Sequence, residues 1–214
     1  MIESLRYIAV GITATLTITI AAFVMGAVIG LPLAALRRSR LMVLRAVARA
    51  YVELVRSVPP LVWLFLIFFG LPQAGVNLSP ITAAILTFSL IASSYMSEIY
   101  RGGLAALGRG QWEASAAVGL SSLDTARYIL VPQVFRVIGP TMATYAIGLL
   151  KDSALASTIG VVEVTFRAGA EAQRTGRGLT VFLTAGVLYL LLSLPLALAS
   201  RRVDSRLRAR FSVA

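Results

Sequence analysis

From Tyr7 to Leu36 the chain runs without a single charged residue. About 20 consecutive apolar residues already suffice to cross a bilayer, so this stretch commits the chain to a membrane. The rest agrees. Of the 214 residues, 58% are hydrophobic and the mean hydropathy is +0.85, the composition of a polytopic membrane protein. The run is too long for a cleavable signal peptide and lacks a small-residue cleavage site. Thr13, Thr15, Thr17 and Thr19 are placed to bond back to their own helix, and Gly26 and Gly30 form a small-xxx-small pair suited to close helix packing.

Further spans follow. A second covers roughly Tyr51 to Gly70, with Glu53 and Arg56 spaced to pair on one helix face and Ser57-Val58-Pro59-Pro60 breaking or kinking it. A third covers roughly Pro80 to Ile99, its last turns made polar by Ser93, Ser94, Tyr95 and Ser97, with Glu98 and Arg101 again three apart. After Pro132 the preferred reading is an interfacial helix to about Ile138, then a span from Pro140 to about Val162. That places Lys151 and Asp152 halfway through the bilayer, where ionisable groups are costly and mark function; the alternative is a surface pair at the outer rim. Glu163–Arg167 and Glu171–Arg174 are spaced for helical ion pairs in a charged extramembrane segment. A last span runs from Gly178 to Ser200.

Five spans put the termini on opposite sides. One side collects Arg37, Arg38, Arg40, Arg45 and Arg49, then Arg101, Arg109, Arg127 and Arg136, then Arg201, Arg202, Arg206, Arg208 and Arg210. The other holds only Arg6, Arg167, Arg174 and Arg177. The positive-inside rule places the richer side in the cytoplasm and the N-terminus outside. The formal charge of +11 is thereby spent on topology rather than on nucleic acid.

The chain has no Cys and no His, which excludes disulfides, imidazole acid–base work and the usual zinc ligand sets. Its only lysine is Lys151, and no P-loop is present, so it is not expected to bind nucleotide itself. An enzyme would have to work with carboxylates, one lysine and hydroxyls alone.

The longest polar interval in the middle of the chain, from Arg109 to Pro132, organises the rest. Gln111, Glu113, Ala114, Ser115, Ala116 and Ala117 suit a short helix, Gly119 supplies a left-handed stop, and Ser121 with Asp124 signals the cap of a second helix. The spacing Glu113-Ala114-Ser115, Gly119, Ile129, Val131-Pro132 resembles the Glu-Ala-Ala loop of importer permeases in the ATP-binding-cassette (ABC) superfamily, with Ser115 for Ala and Val131 for Leu. Tyr51 to Pro59 resembles the Tyr-x-x-x-x-Arg-Gly-Thr-Pro segment of the polar amino-acid subfamily, with Ser57-Val58 for Gly-Thr. Ser93 to Gly103 resembles its Ala-Ala-Tyr-x-x-Glu-x-x-Arg-Gly-Gly, and Lys151 to Gly160 its Lys-Asp-Thr-Ser-Leu-x-x-x-Ile-Gly, with Ser153 for Thr and Ala154 for Ser.

The resemblance implies an all-α membrane protein of five transmembrane helices with a cytoplasmic coupling helix, the type I ABC importer permease fold. It implies one permease domain over 1–214, a coupling loop at about 108–138 and a basic cytoplasmic tail at 201–214. Gly110, Gln111, Glu113, Ala114, Ser115, Gly119 and Leu120 would dock on an ATPase subunit that holds ATP and magnesium; this chain would bind no cofactor. Asp152 is expected to hold a solute ammonium group. Lys151, Ser153, Ser157, Thr158 and Tyr95 are weaker candidates for the same cavity. The expected partners are an ATPase dimer, a second permease copy or paralogue, an extracytoplasmic solute-binding protein and a polar amino acid, in a bacterial inner membrane. The alternatives are a scaffold half that does not itself bind solute and an importer of some other solute.

Overall fold

The computed structural model describes residues 2–108 and 110–211, without the side chains of Ile2, Ala199 and residues 202–211. Arg109 and the side chains of Arg202, Arg206, Arg208 and Arg210 therefore lie outside the described residues. Within them the chain is helical and holds no strand. The α-helices are α1 (Ile2–Ala9), α2 (Ile12–Leu36), α3 (Met42–Ser57), α4 (Pro60–Phe65), α5 (Pro80–Ala106), α6 (Gly110–Ala117), α7 (Ser122–Asp124), α8 (Val131–Asp152), α9 (Val164–Thr175) and α10 (Gly178–Phe211).

Glu3–Leu36, Pro80–Ala106 and Gly178–Leu198 are each long and apolar enough to cross a membrane. Met42–Ser57 and Pro60–Ala74 are apolar and long enough only together, and they meet at 102°, as a broken span or a re-entrant loop does. Pro59 and Pro60 lack the N–H groups that would continue α3, and the Trp63 indole N–H donates to the Val55 carbonyl left open at its end (3.1 Å). The fifth member, α8, runs alongside α5 and α10.

The most extensive pairing is α2 against α5. Its cause is the small-residue stripe. A Cβ at Gly26 would lie 2.3 Å from the Ala92 Cβ, and one at Gly30 would lie 2.6 Å from the Met96 Cβ, so only glycine allows this approach. The core around α5 gathers Ile18, Ala22, Leu64, Phe88, Leu149 and Ala156; a second core, of Ile8, Val164, Ala168, Val181 and Leu188, ties α1 and α9 to α10.

Several sequence expectations are corrected. The segment after Pro132 is not an interfacial helix followed by a span from Pro140 to Val162. One α-helix runs from Val131 to Asp152 through Pro140, followed by a 3-10 coil (Ser153–Ile159) that Gly160 closes at φ 87°. Lys151 and Asp152 thus stand at the end of a helix, not in its middle. The turn before α8 is a π-helix, Thr125–Leu130, where the missing N–H of Pro132 leaves the Tyr128 carbonyl without its helical partner. Arg56 reaches Glu98 rather than Glu53. Glu163 does not pair with Arg167; it is buried and caps α9. The other expected pairs, Glu98–Arg101 and Glu171–Arg174, are formed (2.8 Å each).

Candidate functional site: an exposed helix and a polar track

At one end of the bundle, the connection between α5 and α8 carries α6. Gly110, Gln111, Glu113, Ala114, Gly119 and Leu120 are exposed on it, whereas Ser115 is buried and donates to the Gln111 carbonyl (2.6 Å). Gly119 stands at φ 76°. Its N–H donates to the Ala116 carbonyl and that of Leu120 to the Ser115 carbonyl, the paired pattern of a Schellman stop. Ser121 then caps the next helix through the Asp124 N–H (3.2 Å), and Gln133 of α8 reaches back to Gln111 (3.3 Å). Beside α6 lie exposed apolar side chains, among them Trp112, Val118, Leu123, Tyr128 and Phe135. Exposed apolar groups along a polar connection suit an interaction surface. The sequence pattern shows the helix and its stop; it does not show this apolar surround.

Between that end and the bundle interior stands a charge cluster centred on Glu98. Arg37, at the end of α2, and Arg101 both bond its carboxylate, and Arg56 lies 3.9 Å away. The Arg56 guanidinium also covers the Tyr95 ring at 4.9 Å. Tyr95 in turn stacks on Tyr145 of α8, centroids 5.1 Å apart. Sequence reasoning missed Tyr145 and Arg37, since nothing local to either residue marks it.

Seven residues beyond Tyr145, α8 ends at Asp152, about 10 Å further along at 1.5 Å per residue. Pro80, where α5 begins, is ~22 Å from Tyr95 by the same rise, so Asp152 lies on the order of 12 Å inside the end of α5. Asp152 is exposed and has no ion-pair partner among the described residues. Lys151 is exposed too, but lines a separate cavity of about 330 Å³ with Gly186, Tyr189 and Ser193 of α10. The neighbours thus serve different surroundings. Ser153 is fully buried, its hydroxyl donating to the Leu150 carbonyl, so it faces the core. Half-buried Ser157 and exposed Thr158 donate to the carbonyls of Ala154 and Leu155 (2.7 Å each). The structure brings Asp152 and the Tyr95–Tyr145 pair onto the same two helices; Lys151 and Ser153 diverge from them.

The opposite end is held by two buried carboxylates. Glu163 accepts from the Phe166 N–H (2.7 Å) and the Tyr189 hydroxyl (2.6 Å). Burial pushes it above the usual carboxylate range, and these bonds offset part of the rise. Glu171 accepts from Arg174 and from the Ser4 hydroxyl (2.7 Å) of α1, which hold it down at about 2. Arg167 stacks on Tyr7 at 5.0 Å. Arg167 and Arg174, two arginines of this charged segment, therefore make contacts within the chain.

A family described as the binding-protein-dependent transport system inner membrane component matches residues 26–209. The chain is 38% identical to the probable amino-acid ABC transporter permease protein YckA of Bacillus subtilis, over 88% of this chain and 83% of that one. It is 36% identical to the L-cystine transport system permease protein TcyB of Bacillus subtilis (92% and 85% covered). Against the glutamate/aspartate import permease protein GltK of Escherichia coli the identity is 33%, with 92% of each covered. Among solved structures, the crystal structure of an amino acid ABC transporter with histidines superposes at TM-score 0.90 with 30% identity, over 96% of each chain. The MetNI methionine ABC transporter shares the fold at TM-score 0.77 and 24% identity, over 94% of this chain and 96% of that one. With its helical bundle, its exposed glycine-stopped helix and relatives along nearly its whole length, the chain belongs to the binding-protein-dependent transport system inner membrane components, the permease subunits of ABC importers.

Proposed function

We propose that this permease carries a polar amino acid inward, past Asp152 and along the α5–α8 face, at the expense of ATP hydrolysed by a separate subunit. The observation that carries the reading is the connection itself. The exposed helix α6 joins α5 and α8, the two helices that bear Tyr95, Tyr145 and Asp152, so a push on α6 is delivered to both walls of the track. Gly110 to Leu120 docks on an ATPase dimer that holds ATP and magnesium; this chain needs no cofactor of its own. The basic end and α6 lie on the cytoplasmic side of a bacterial inner membrane and the N-terminus outside, a reading that the arginine distribution supports.

Asp152 holds the solute's ammonium group. A lone carboxylate this far along the α5–α8 face is costly within a membrane unless a cation meets it, and the amino-acid permeases that the chain resembles suggest the class of cation. Tyr95 and Tyr145 form the wall below it. Lys151, in its own cavity, pairs with the solute carboxylate or with an acidic group of a second permease copy or paralogue. Ser157 and Thr158 border the path. An extracytoplasmic solute-binding protein delivers the amino acid at the α9 end.

Expression of the chain with its genomic neighbours and purification through this subunit tests the reading. The expected result is a copurifying ATPase and, in proteoliposomes, ATP-dependent accumulation of radiolabelled polar amino acids. A chain that purifies without an ATPase and accumulates none of them contradicts it.

A further inference from the structure

Arg177 is the one arginine of the outer charged segment whose side chain finds no partner among the described residues. It stands one residue before α10, where that helix enters its apolar crossing at Gly178. It is not isolated on a flat surface. With Ser4 of α1, Thr175 at the end of α9, and Thr180, Val181 and Thr184 of α10, it lines a cavity of about 660 Å³.

The polar groups of this cavity differ in what they can still offer. Ser4 and Thr175 are spent on Glu171, on its carboxylate and its carbonyl respectively. Thr184 donates to the Thr180 carbonyl. The Thr180 hydroxyl and the Arg177 guanidinium remain as donors. Nearby charges leave the pocket positive. Arg174 cancels Glu171, Glu3 and Arg6 flank Ser4 with opposite sign, and Arg177 is the surplus. This is a site for an anion that takes a forked guanidinium and a hydroxyl, as a phosphate oxygen pair does.

The cavity also has a floor that no free anion needs. Thr180 and Thr184 begin a single face of α10 that continues through Val187, Leu191, Leu194 and Leu198 at helical spacing. Those four are 53%, 57%, 45% and 43% exposed. From Thr184 to Leu198 the face is ~21 Å long at 1.5 Å per residue, more than half of a hydrocarbon core of about 30 Å. A polar pocket with one surplus cation, set at the start of a crossing and opening onto an apolar track the length of an acyl chain, fits an amphiphile. An acidic loop of a soluble protein would meet the pocket but leave the track uncovered.

We infer that Arg177 and Thr180 hold the phosphate of a phospholipid headgroup at the outer end of α10, with an acyl chain along the Val187–Leu198 face. The site rests on this chain's own cavity and is independent of the solute reading above.

The test uses the purified complex in detergent, its thermal unfolding titrated with dioleoyl-phosphatidylglycerol and, separately, with inorganic phosphate. The lipid is expected to raise the unfolding temperature saturably and inorganic phosphate to leave it unchanged. Arg177→Gln removes a side chain with no internal partner, so the fold is retained. It should raise the half-saturating lipid concentration about tenfold, which is ~1.4 kcal/mol. Thr180→Phe, which fills the cavity from an exposed position, should do the same, and Arg49→Gln at the opposite boundary should do nothing. Both cavity variants responding like the wild type would overturn the site. So would inorganic phosphate reproducing the shift, which would make it a free-anion site. Arg177→Gln that keeps the lipid response but loses stimulation of ATP hydrolysis by the binding protein would make it a protein-docking face instead.

Discussion

Removing the carboxylate from the Glu98 cluster is the perturbation whose cost the structure grades most finely. Glu98 is 21% exposed and joined by Arg37, which is 11% exposed, and by Arg101, which is 47% exposed. Glu98→Gln leaves Arg37 charged, buried and without its counter-ion. Breaking one partner out of a buried pair costs about 3–5 kcal/mol. The glutamine carbonyl still accepts a bond and some water reaches the site, so the low end applies, ~3 kcal/mol, or about a hundredfold in the folded population. Arg37→Met removes one charge-assisted bond but leaves Glu98 its two from Arg101, which costs about 1.5–3 kcal/mol. Arg101→Gln breaks a pair open to solvent and costs about 0–1 kcal/mol. The double variant Arg37→Met with Glu98→Leu removes both charges of this part-buried pair and should be less destabilised than Glu98→Gln alone, because Arg101 and Arg56 can turn to water. Thermal unfolding of the four variants in one detergent, with intrinsic Trp fluorescence as the signal, measures the order. Glu98→Gln no less stable than Arg101→Gln, or a double variant worse than the single, would refute the placement of Arg37 as the buried member.

Three other outcomes follow from particular contacts. Gly119→Val forces a branched side chain into the left-handed region at φ 76°, a strain of about 1–2 kcal/mol, and should keep assembly while lowering the ratio of uptake to ATP hydrolysed; an unchanged ratio removes α6 from coupling. Gly26→Val drives α2 from α5 and should cost about 1–3 kcal/mol or more; since the nearest clash is the Ala92 Cβ, Ala92→Gly should restore part of it in unfolding measurements. Glu171, held at about 2 against an ordinary 4.5 by Arg174 and Ser4, binds its proton less tightly folded than unfolded. Its contribution is whole above pH 4.5 and lost as the pH falls towards 2, so cleavage of the α1–α9 end by pepsin, taken relative to an unfolded substrate at the same pH, should accelerate over that window, and Glu171→Gln should abolish that relative acceleration. Buried Glu163, shifted upward, has the opposite sign and loses its contribution as the pH rises above 4.5.

What could be read from the chain before its structure divides along a physical line. Features set by neighbours in sequence were legible. Tyr7 to Leu36 crosses because it is uncharged, Gly119 stops α6 because only a residue tolerant of positive φ serves there, and Gly26 and Gly30 pack because the spacing puts both on one face. Features set by reach across the fold were not. Arg56 has Glu53 three residues away and goes to Glu98 and Tyr95 instead, because the break at Pro59 ends α3 beside α5. Glu163 has Arg167 one turn on and turns inward to Tyr189, a residue 26 positions later. Tyr145 carries no local sign of stacking on Tyr95. Lys151 and Asp152 stand out in the sequence by their expected depth and by the Lys-Asp-Ser spacing, yet their divergence into two surroundings depends on the helix end at Asp152 and the position of α10.

The account turns on Asp152 as the group that meets the solute. Its most direct test is uptake of a panel of radiolabelled polar amino acids by the reconstituted complex, wild type beside Asp152→Asn. The substitution keeps the shape at an exposed position and removes the charge. The expected result is ATP-dependent uptake of at least one amino acid by the wild type and loss of that uptake, with its stimulation of ATP hydrolysis, in an Asp152→Asn complex that still assembles with its ATPase. Wild-type uptake kinetics in the variant would contradict the account and return Asp152 to a surface position with no part in the path.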